Sequence, residues 1–311
     1  MDSIELEIVN IDNKITKYVD EKRYAFLRFK KADKLVIAIK NKIVLGNVAI
    51  YYKGFNGKNI AMIGIIHCPD KEGALSLLEG AVQELQRIGH FKIVAPIDRD
   101  TWSDYRVKES SLLEKPFYGE PSNFPWMCEV FKESGFSVGY RYISTLDPLI
   151  KKDVPSIEGL NIRRLEEIDL EQELNRIYDI SIEAFCDNVF YGNIEREIFI
   201  NNYKKMYEAL KPDVLIAEYN GEEVGFLIGY GSEDCKKEGK TYVFKTIAVK
   251  KDFRKLKIGG AMVSTLGNLV YDLGYKFIIG GLIYSENVSY KLTKKYGGMI
   301  VSEYSLYQKM V

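Results

Sequence analysis

A cluster of cationic side chains followed by two glycines is the part of this sequence best suited to chemistry. Residues 247–261 read Ile-Ala-Val-Lys-Lys-Asp-Phe-Arg-Lys-Leu-Lys-Ile-Gly-Gly-Ala, in which Asp252 is the one acidic residue. The amino end of a helix offers unpaired N–H groups and a positive dipole end, and glycine lets the backbone approach a ligand closely. An apolar strand that continues through a basic loop into a glycine-led helix is therefore predicted to bind a phosphate-rich ligand.

Several other kinds of site are excluded by residue type. Both histidines, His67 and His90, lie in the first half of the chain. Residues 157–311 alone therefore cannot form a Ser-His triad, a histidine general base or a histidine-held zinc site. The glycines match neither the P-loop nor the Rossmann pattern. No metal is expected.

The composition limits the partners and the compartment. The 311 residues are 46% hydrophobic, with 44 Lys and Arg against 44 Asp and Glu. Zero net charge argues against a general nucleic-acid binder, and the apolar runs are too short to span a membrane. The acidic amino-terminal residues do not resemble a signal peptide, and the four cysteines form no C-x-x-C pair. We therefore expect a cytoplasmic monomer or homodimer.

The sequence contains two copies of one pattern. Residues 35–51 and 214–230 align without a gap, each as a strand, an Asn-containing turn and a second strand. Three identical pairs fall at the same spacing: Ala38 and Ala217, Asn41 and Asn220, Gly46 and Gly225. The elements that follow also correspond. These are the strands 60–67 and 242–249, the helices near 77–88 and 262–273, the strands 91–95 and 276–279, and the helices 128–134 and 290–296.

The two copies differ in two segments. The first copy has Cys-Pro-Asp-Lys-Glu-Gly-Ala in place of the basic glycine loop, and it carries a long insertion at residues 96–122. The aromatic-rich stretch 102–131 is predicted either to line a substrate pocket or to pack between the copies. We predict two domains, 1–150 and 157–311, joined near residues 151–156.

The order of these elements resembles the GNAT superfamily of acyl-CoA-dependent N-acyltransferases. The second copy carries the resemblance, in its hairpin 216–225, its strand 246–249, its loop 254–261 and Glu286-Asn287 ahead of Lys295-Tyr296-Gly297-Gly298. Two copies in one chain look like the tandem members of that superfamily, in which one copy is often a degenerate scaffold. The resemblance implies an α/β (α+β) fold with two tandem domains, each a mixed, mostly antiparallel sheet flanked by helices. It also implies that the first domain does not bind CoA.

The resemblance implies an acyl-CoA site around the basic loop. The family's loop has the form Arg/Gln-x-x-Gly-x-Gly/Ala; Arg254, Gly259 and Ala261 fit it, and Lys257 stands where the first glycine is usual. A lysine there needs a negative φ or a strained backbone, although its charge could face a phosphate. The implied CoA-binding residues lie on the splayed strand, the loop and the last helix: Ile247, Ala248, Val249, Arg254, Lys255, Lys257, Ile258, Gly259, Gly260, Ala261 and Asn287.

The acid that protonates the leaving thiolate is less well defined by the resemblance. The tyrosine that often has this role lies four residues before the closing glycine, where this chain has Thr293. Tyr290 is one helical turn earlier on roughly the same face, so Tyr290 and Thr293 are the predicted catalytic residues. Tyr284 and Tyr296 are rivals.

The general base is not assigned by the resemblance. Some family members use a glutamate on the strand before the loop, but this chain has Phe244 and Lys245 there. Glu218 and a chain of water molecules both stay open as the base.

The function implied by the resemblance is transfer of an acetyl or other acyl group from acyl-CoA to a primary amine of a small molecule or peptide. Acetyl-CoA is the expected co-substrate. Two alternatives stay open: a catalytically inactive tandem protein that binds or senses CoA, and an aminoacyl-tRNA-dependent transferase. Zero net charge and the CoA-type loop count against the latter.

Overall fold

The protein consists of two compact units, each built from more than one chain segment. The computed structural model describes residues 3–53, 59–232, 239–286 and 298–311, with the backbone alone at residues 13 and 14. Unit 1 comprises Met1–Glu109, Pro121–Arg141 and Tyr304–Val311, and unit 2 comprises Ser110–Glu120 and Tyr142–Glu303. The predicted division at 1–150 and 157–311 treats the copies as consecutive, whereas unit 1 also includes residues 304–311 and unit 2 also includes residues 110–120 and 142–150.

Unit 1 is a mixed sheet with three helices. Its strands are β1 (Glu5–Asn10), β2 (Lys34–Lys40), β3 (Ile43–Tyr51), β4 (Ile60–His67) and β5 (Lys92–Ala95), and its helices are α1 (Glu21–Phe29), α2 (Lys71–Arg87) and α3 (Met127–Glu133). Strands β6 (Val107–Ser111) and β7 (Ser137–Pro148) begin in unit 1 and end in unit 2, whereas β13 (Met299–Met310) does the reverse. The order is β1-β2-β3-β4-β5-β13, and the pairs are antiparallel except for β4 with β5.

Unit 2 repeats this arrangement. Its strands are β8 (Leu160–Arg164), β9 (Asp213–Tyr219), β10 (Glu222–Gly231), β11 (Thr241–Val249) and β12 (Phe277–Tyr284), and its helices are α4 (Leu170–Phe185), α5 (Arg196–Leu210) and α6 (Ile258–Asp272). The order is β7-β12-β11-β10-β9-β8, in which β11 and β12 form the one parallel pair. Each described sheet is thus mixed and mostly antiparallel, as predicted.

The two hairpins of the repeat share their backbone details. Asn41 and the residue after it have positive φ angles, as do Asn220 and Gly221, which is the requirement of a type I′ hairpin turn. Gly46 and Gly225 both lie beside a register shift. A Cβ atom at Gly46 would lie 2.3 Å from the carbonyl oxygen of His67, and one at Gly225 would lie 2.8 Å from a carbonyl oxygen of β11. The glycine that the alignment singled out is therefore required sterically in both copies.

One helix in each unit covers the sheet with an apolar face. In α2, Leu77, Leu78, Ala81 and Leu85 are buried against the sheet of unit 1. In α6, Ile258, Met262, Leu266 and Val270 are buried against the sheet of unit 2. Apolar residues three and four positions apart lie on one face of a helix, which is why both helices could be predicted from their periodicity. No helix in the described part of the chain is long and apolar enough to cross a membrane.

Candidate active site

The parallel strands β11 and β12 separate partway along their length. Their pairing runs from Thr241 with Phe277 to Phe244 with Gly280 and includes no later residue of β11. Strand β11 nevertheless continues for five more residues, to Val249, while β12 continues along β7. The second half of β11 therefore has one edge without a neighbouring strand in the described part of unit 2.

The alternation of backbone groups decides what this edge offers. Lys250 donates its N–H to the carbonyl of Val224 on β10 at 2.8 Å. Because N–H groups alternate between the two edges of a strand, those of Ile247 and Val249 point away from β10, toward the gap that β12 has left. Ala248 faces β10 with its backbone and has a buried side chain, so it presents no polar group to the gap. Within the residues that the structure describes, the N–H groups of Ile247 and Val249 are thus the free donors of this edge.

The amino end of α6 begins directly after the loop that follows this edge. The N–H groups of Ile258, Gly259 and Gly260 precede the first helical hydrogen bond, which Ala261 donates to the carbonyl of Lys257 at 3.1 Å. No side chain from the described ranges of the chain caps this end of the helix. The backbone donors of a 15-residue helix, with its positive dipole end, are therefore free to bind an anion.

Lys257 has the backbone conformation that favours glycine. Its φ is +62° and its ψ is 16°, in the left-handed region. Of the two backbone conformations considered for this lysine, the structure therefore has the strained one, which costs about 1 kcal/mol. A Cβ atom at Gly260 would meet nothing within 4 Å, so the space beside this residue is open. The backbone at position 257 therefore has the conformation expected of a glycine, and the lysine side chain adds a positive charge.

Four of the five cations of the loop are lysines, and these fall into two groups. Lys250 pairs with Glu222 at 2.8 Å, and Lys251 pairs with Asp187, which raises the pKa of Lys251. By contrast, Lys255 and Lys257 are exposed and have no ionic partner among the described residues. The positive charge available to a ligand comes from these two lysines.

Arg254 is used within the protein rather than held free for a ligand. Its Nε donates to the carbonyl of Val249 at 3.1 Å, and its Nη2 donates to the carbonyl of Ala184 at 2.6 Å. Ala184 lies in the last turn of α4, where carbonyl groups have no partner within the helix. Arg254 therefore ties the basic loop to the end of α4. The sequence could not indicate Ala184, because only a backbone carbonyl 70 residues away is involved.

The other predicted residues fall into two classes. The side chains of Ile258 and Ala261 are fully buried, and the N–H of Ala261 is already bonded, so only Ile258 has a free backbone donor. Asn287, Tyr290 and Thr293 lie outside the described residues, as does Tyr296.

Glu218 is poorly suited to act as a base. It accepts a hydrogen bond from Arg163 at 2.6 Å, and this contact lowers its pKa. It lies on β9, which pairs with β8 and β10 rather than with β11. No three His, Cys, Asp or Glu side chains among the described residues come together as a metal site.

The corresponding helix end in unit 1 is closed. The carboxylate of Asp70 accepts a hydrogen bond from the N–H of Gly73 at 2.6 Å and so caps α2. A carboxylate at this point satisfies the helix end and repels another anion. Lys71, the first residue of α2, pairs with Glu129 and Glu133.

The gap between the parallel strands of unit 1 is also filled. Pairing of β4 with β5 ends at Met62. Beyond it, the N–H of Ile97 donates to the carbonyl of Ile63 at 2.9 Å, and the carboxylate of Asp98 accepts the N–H of Ile65 at 2.5 Å. Residues just after β5 thus bond to the edge that is left free in unit 2. Nothing in the spacing of Ile97 and Asp98 signals this role.

Comparison with known proteins found similarity in fold but no match in sequence. No protein-family model matches the sequence, and no curated protein matches it. Among solved structures, a tandem GNAT protein from the clavulanic acid biosynthesis pathway, determined without AcCoA, is similar over 99% of this chain and 98% of its own, with 10% identity and a TM-score of 0.50.

Two further structures are similar over nearly the whole chain. A GCN5-related N-acetyltransferase from Anabaena variabilis has 8% identity and a TM-score of 0.58, over 98% of this chain and 73% of its own. A conserved protein from Enterococcus faecalis, described as a probable N-acyltransferase, has 12% identity and a TM-score of 0.58, over 100% and 73%. Identities this low establish the fold alone. The chain therefore has the fold of the GCN5-related N-acetyltransferases, in the two-copy form of a tandem GNAT protein.

Proposed function

We propose that this protein transfers an acyl group, most simply acetyl, from acyl-CoA to a primary amine, and that unit 2 is the acyltransferase. The observation that carries the proposal is the uncapped amino end of α6 next to the free edge of β11. The helix end offers donors and positive charge for a pyrophosphate, and the strand edge offers donors for an amide-containing arm. CoA has both groups in this order.

The contrast with unit 1 supports the assignment to unit 2. Asp70 caps the equivalent helix, and Ile97 and Asp98 bond to the equivalent strand edge. The same fold thus presents an open edge with two free lysines in one unit and a closed, acid-capped edge in the other. A purely structural role for the loop of unit 2 would not require it to stay uncapped.

The residues of this chain would accelerate the proposed reaction mainly by positioning the amine and the thioester. A CoA thioester supplies the activated acyl group. Holding an amine against its carbonyl accounts for much of the expected rate enhancement, because the reaction no longer requires a chance encounter. The N–H groups of Ile247 and Val249 are proposed to bond the amide-containing arm and so to hold the thioester at the far end of the edge.

Two proton transfers complete the proposed reaction. The thiolate needs a proton, for which Tyr290, with Thr293 as the alternative, is the proposed donor. The amine must be neutral to attack, and a water chain is the proposed route for its proton. The acceptor is proposed to be an amine of a small molecule or peptide.

The proposal is tested by titrating acetyl-CoA and desulfo-CoA into the full chain in a calorimeter. We expect binding of both ligands to the wild type. Lys257→Gly should weaken binding about two- to fivefold, because an exposed charge contributes up to about 1 kcal/mol, while relieving the left-handed strain. Lys71→Ala, the matched change in unit 1, should leave the affinity unchanged. Absence of binding at millimolar ligand would overturn the proposal.

Turnover is tested separately. Free thiol release from acetyl-CoA in the presence of a panel of primary amines should exceed release without amine. Binding without amine-dependent release would favour the CoA-sensing alternative, and retention of charged tRNA in a filter assay would favour an aminoacyl-tRNA-dependent transferase.

A further inference from the structure

The ring of Phe117 lies at the point where β11 and β12 separate. Gly281 is the first residue of β12 after the last paired residue, Gly280. A Cβ atom on Gly281 would lie 3.4 and 3.5 Å from two ring carbons of Phe117 and 3.8 Å from Val243, one residue before the separation. Gly281 thus leaves room that the Phe117 ring fills. The ring is 4% exposed, so it forms part of the packed base of the gap.

Phe117 comes from the insertion of the first copy but belongs to unit 2. A turn holds it there, in which Glu120 donates its N–H to the carbonyl of Phe117 at 3.0 Å and Gly119 has a φ of +78°. The hydroxyl of Tyr230 on β10 donates to the carbonyl of Tyr118 at 2.7 Å. The ring packs in a buried hydrophobic cluster with Leu146, Tyr230, Val243, Ile279 and Val301.

The position of the ring corresponds to one end of a linear ligand bound along the free edge. A strand rises about 3.3 Å per residue, so the edge from residue 249 back to the last paired residue, Phe244, is about 16 Å long. A ligand whose phosphates lie at the amino end of α6 and whose arm follows this edge has its far end at the separation of the strands. In CoA, that end is the thiol with its acyl group.

We propose that Phe117 closes the acyl end of the site and limits the donor to short, uncharged acyl groups such as acetyl. This inference rests on the proposed function. A chain longer than acetyl must displace the ring or turn away from the apolar base. A donor with a terminal carboxylate would lose its hydration there without gaining a partner.

The test compares acetyl-CoA with butyryl-CoA by calorimetry of the full chain. The wild type should bind butyryl-CoA no more tightly than acetyl-CoA. In Phe117→Ala, two methylene groups enter apolar space, and each contributes about a fourfold gain in affinity. The ratio of the two affinities should therefore shift toward butyryl-CoA by about 15-fold. Phe117→Leu, which keeps most of the buried volume, should shift it in the same direction by less.

Controls separate the outcomes. Phe124→Ala removes a partly exposed ring in unit 1 that stacks on Trp126, and it should leave the ratio unchanged. If the wild type binds no acyl-CoA, the proposed function and this inference fail together. If CoA binds but both Phe117 variants keep the wild-type ratio, this inference alone is wrong. Circular dichroism identifies any misfolded variant, in which case Phe117→Leu decides the result.

Discussion

Arg254 shows how a residue can be placed correctly in a site and still have a different role. Its guanidinium joins the carbonyl of Val249 at the end of β11 to that of Ala184 at the end of α4. Both acceptors are backbone groups, and a planar guanidinium can satisfy two of them at fixed geometry. Arg254 is therefore expected to set the course of the loop, while Lys255 and Lys257 carry the charge toward a ligand.

We expect Arg254→Ala to weaken CoA binding about three- to tenfold and to lower the free energy of unfolding by about 1 kcal/mol, through the loss of two hydrogen bonds. Calorimetry and urea unfolding measure the two effects. Arg254→Lys is the informative control, because it keeps the charge but cannot donate to both carbonyls in this geometry. Full affinity in Arg254→Lys would show that charge alone matters and would contradict the positioning role.

The sequence predicted the residue types of the site better than their contacts. The loop, its cations and its glycines could be located because they are contiguous. The left-handed backbone of Lys257 followed from the family pattern only as one of two alternatives, since the sign of φ depends on the path of the neighbouring chain. The partner of Arg254 could not be predicted, because backbone carbonyls carry no sequence signal.

Strands β4 and β11 occupy equivalent places in the two units but end in different surroundings. Beyond its pairing with β5, β4 is bonded to Ile97 and Asp98, whereas no described residue pairs with the corresponding edge of β11. Burial raises the pKa of Asp98 to about 6, above the ordinary value of about 3.9 for Asp. The closed edge of unit 1 therefore depends on pH.

The direction of this dependence follows from proton binding. Between about pH 4 and pH 6 the folded protein holds more protons at Asp98 than the unfolded chain, so stability falls as the pH rises through this range. Asp98→Asn keeps an acceptor for the N–H of Ile65 and removes the charge. We expect this variant to be about 2 kcal/mol more stable relative to wild type at pH 7 than at pH 4, measured by urea unfolding at both pH values. An equal difference at both values would contradict the assignment.

Most single elements could be predicted because their signals are local. Strand β4 was predicted at residues 60–67, as observed, and both hairpin turns have the positive φ angles that their sequences favour. Helix α2 begins earlier than the predicted apolar stretch, because Asp70 caps it seven residues before its first buried leucine, Leu77. The prediction of the first copy began at its hairpin, so the edge strand β1 and helix α1 were not part of it.

At the scale of the whole molecule, the repeat was predicted but the exchange of segments was not. A periodic pattern identifies a strand without identifying its neighbour, so the late strand β13 could be assigned only to its own half. In the structure its final residues belong to unit 1, where Tyr307 pairs with Ala95. The ring of Tyr307 is fully buried and stacks on Phe131 at 4.8 Å, and its hydroxyl donates to Glu109.

Tyr307→Ala should therefore destabilise unit 1, although the residue lies in the second half of the chain. Removing a buried aromatic side chain costs about 3–5 kcal/mol. Hydrogen exchange followed by mass spectrometry should show lost protection in β5 and α3 rather than in α6. Met310→Ala, which truncates a side chain 70% exposed on the same strand, should change little. Loss of protection confined to unit 2 would contradict the unit assignment.

The exchanged strand also affects the order in which the protein is made. Strand β5 leaves the ribosome about 200 residues before the segment that pairs with it, Tyr304–Val311. At translation rates of about 5–20 residues per second, its edge stays unpaired for roughly 10 to 40 seconds. Unpaired strand edges are sites of aggregation, so the nascent first half needs protection for that time. The first unit to be synthesised is thus completed only after most of the second has emerged.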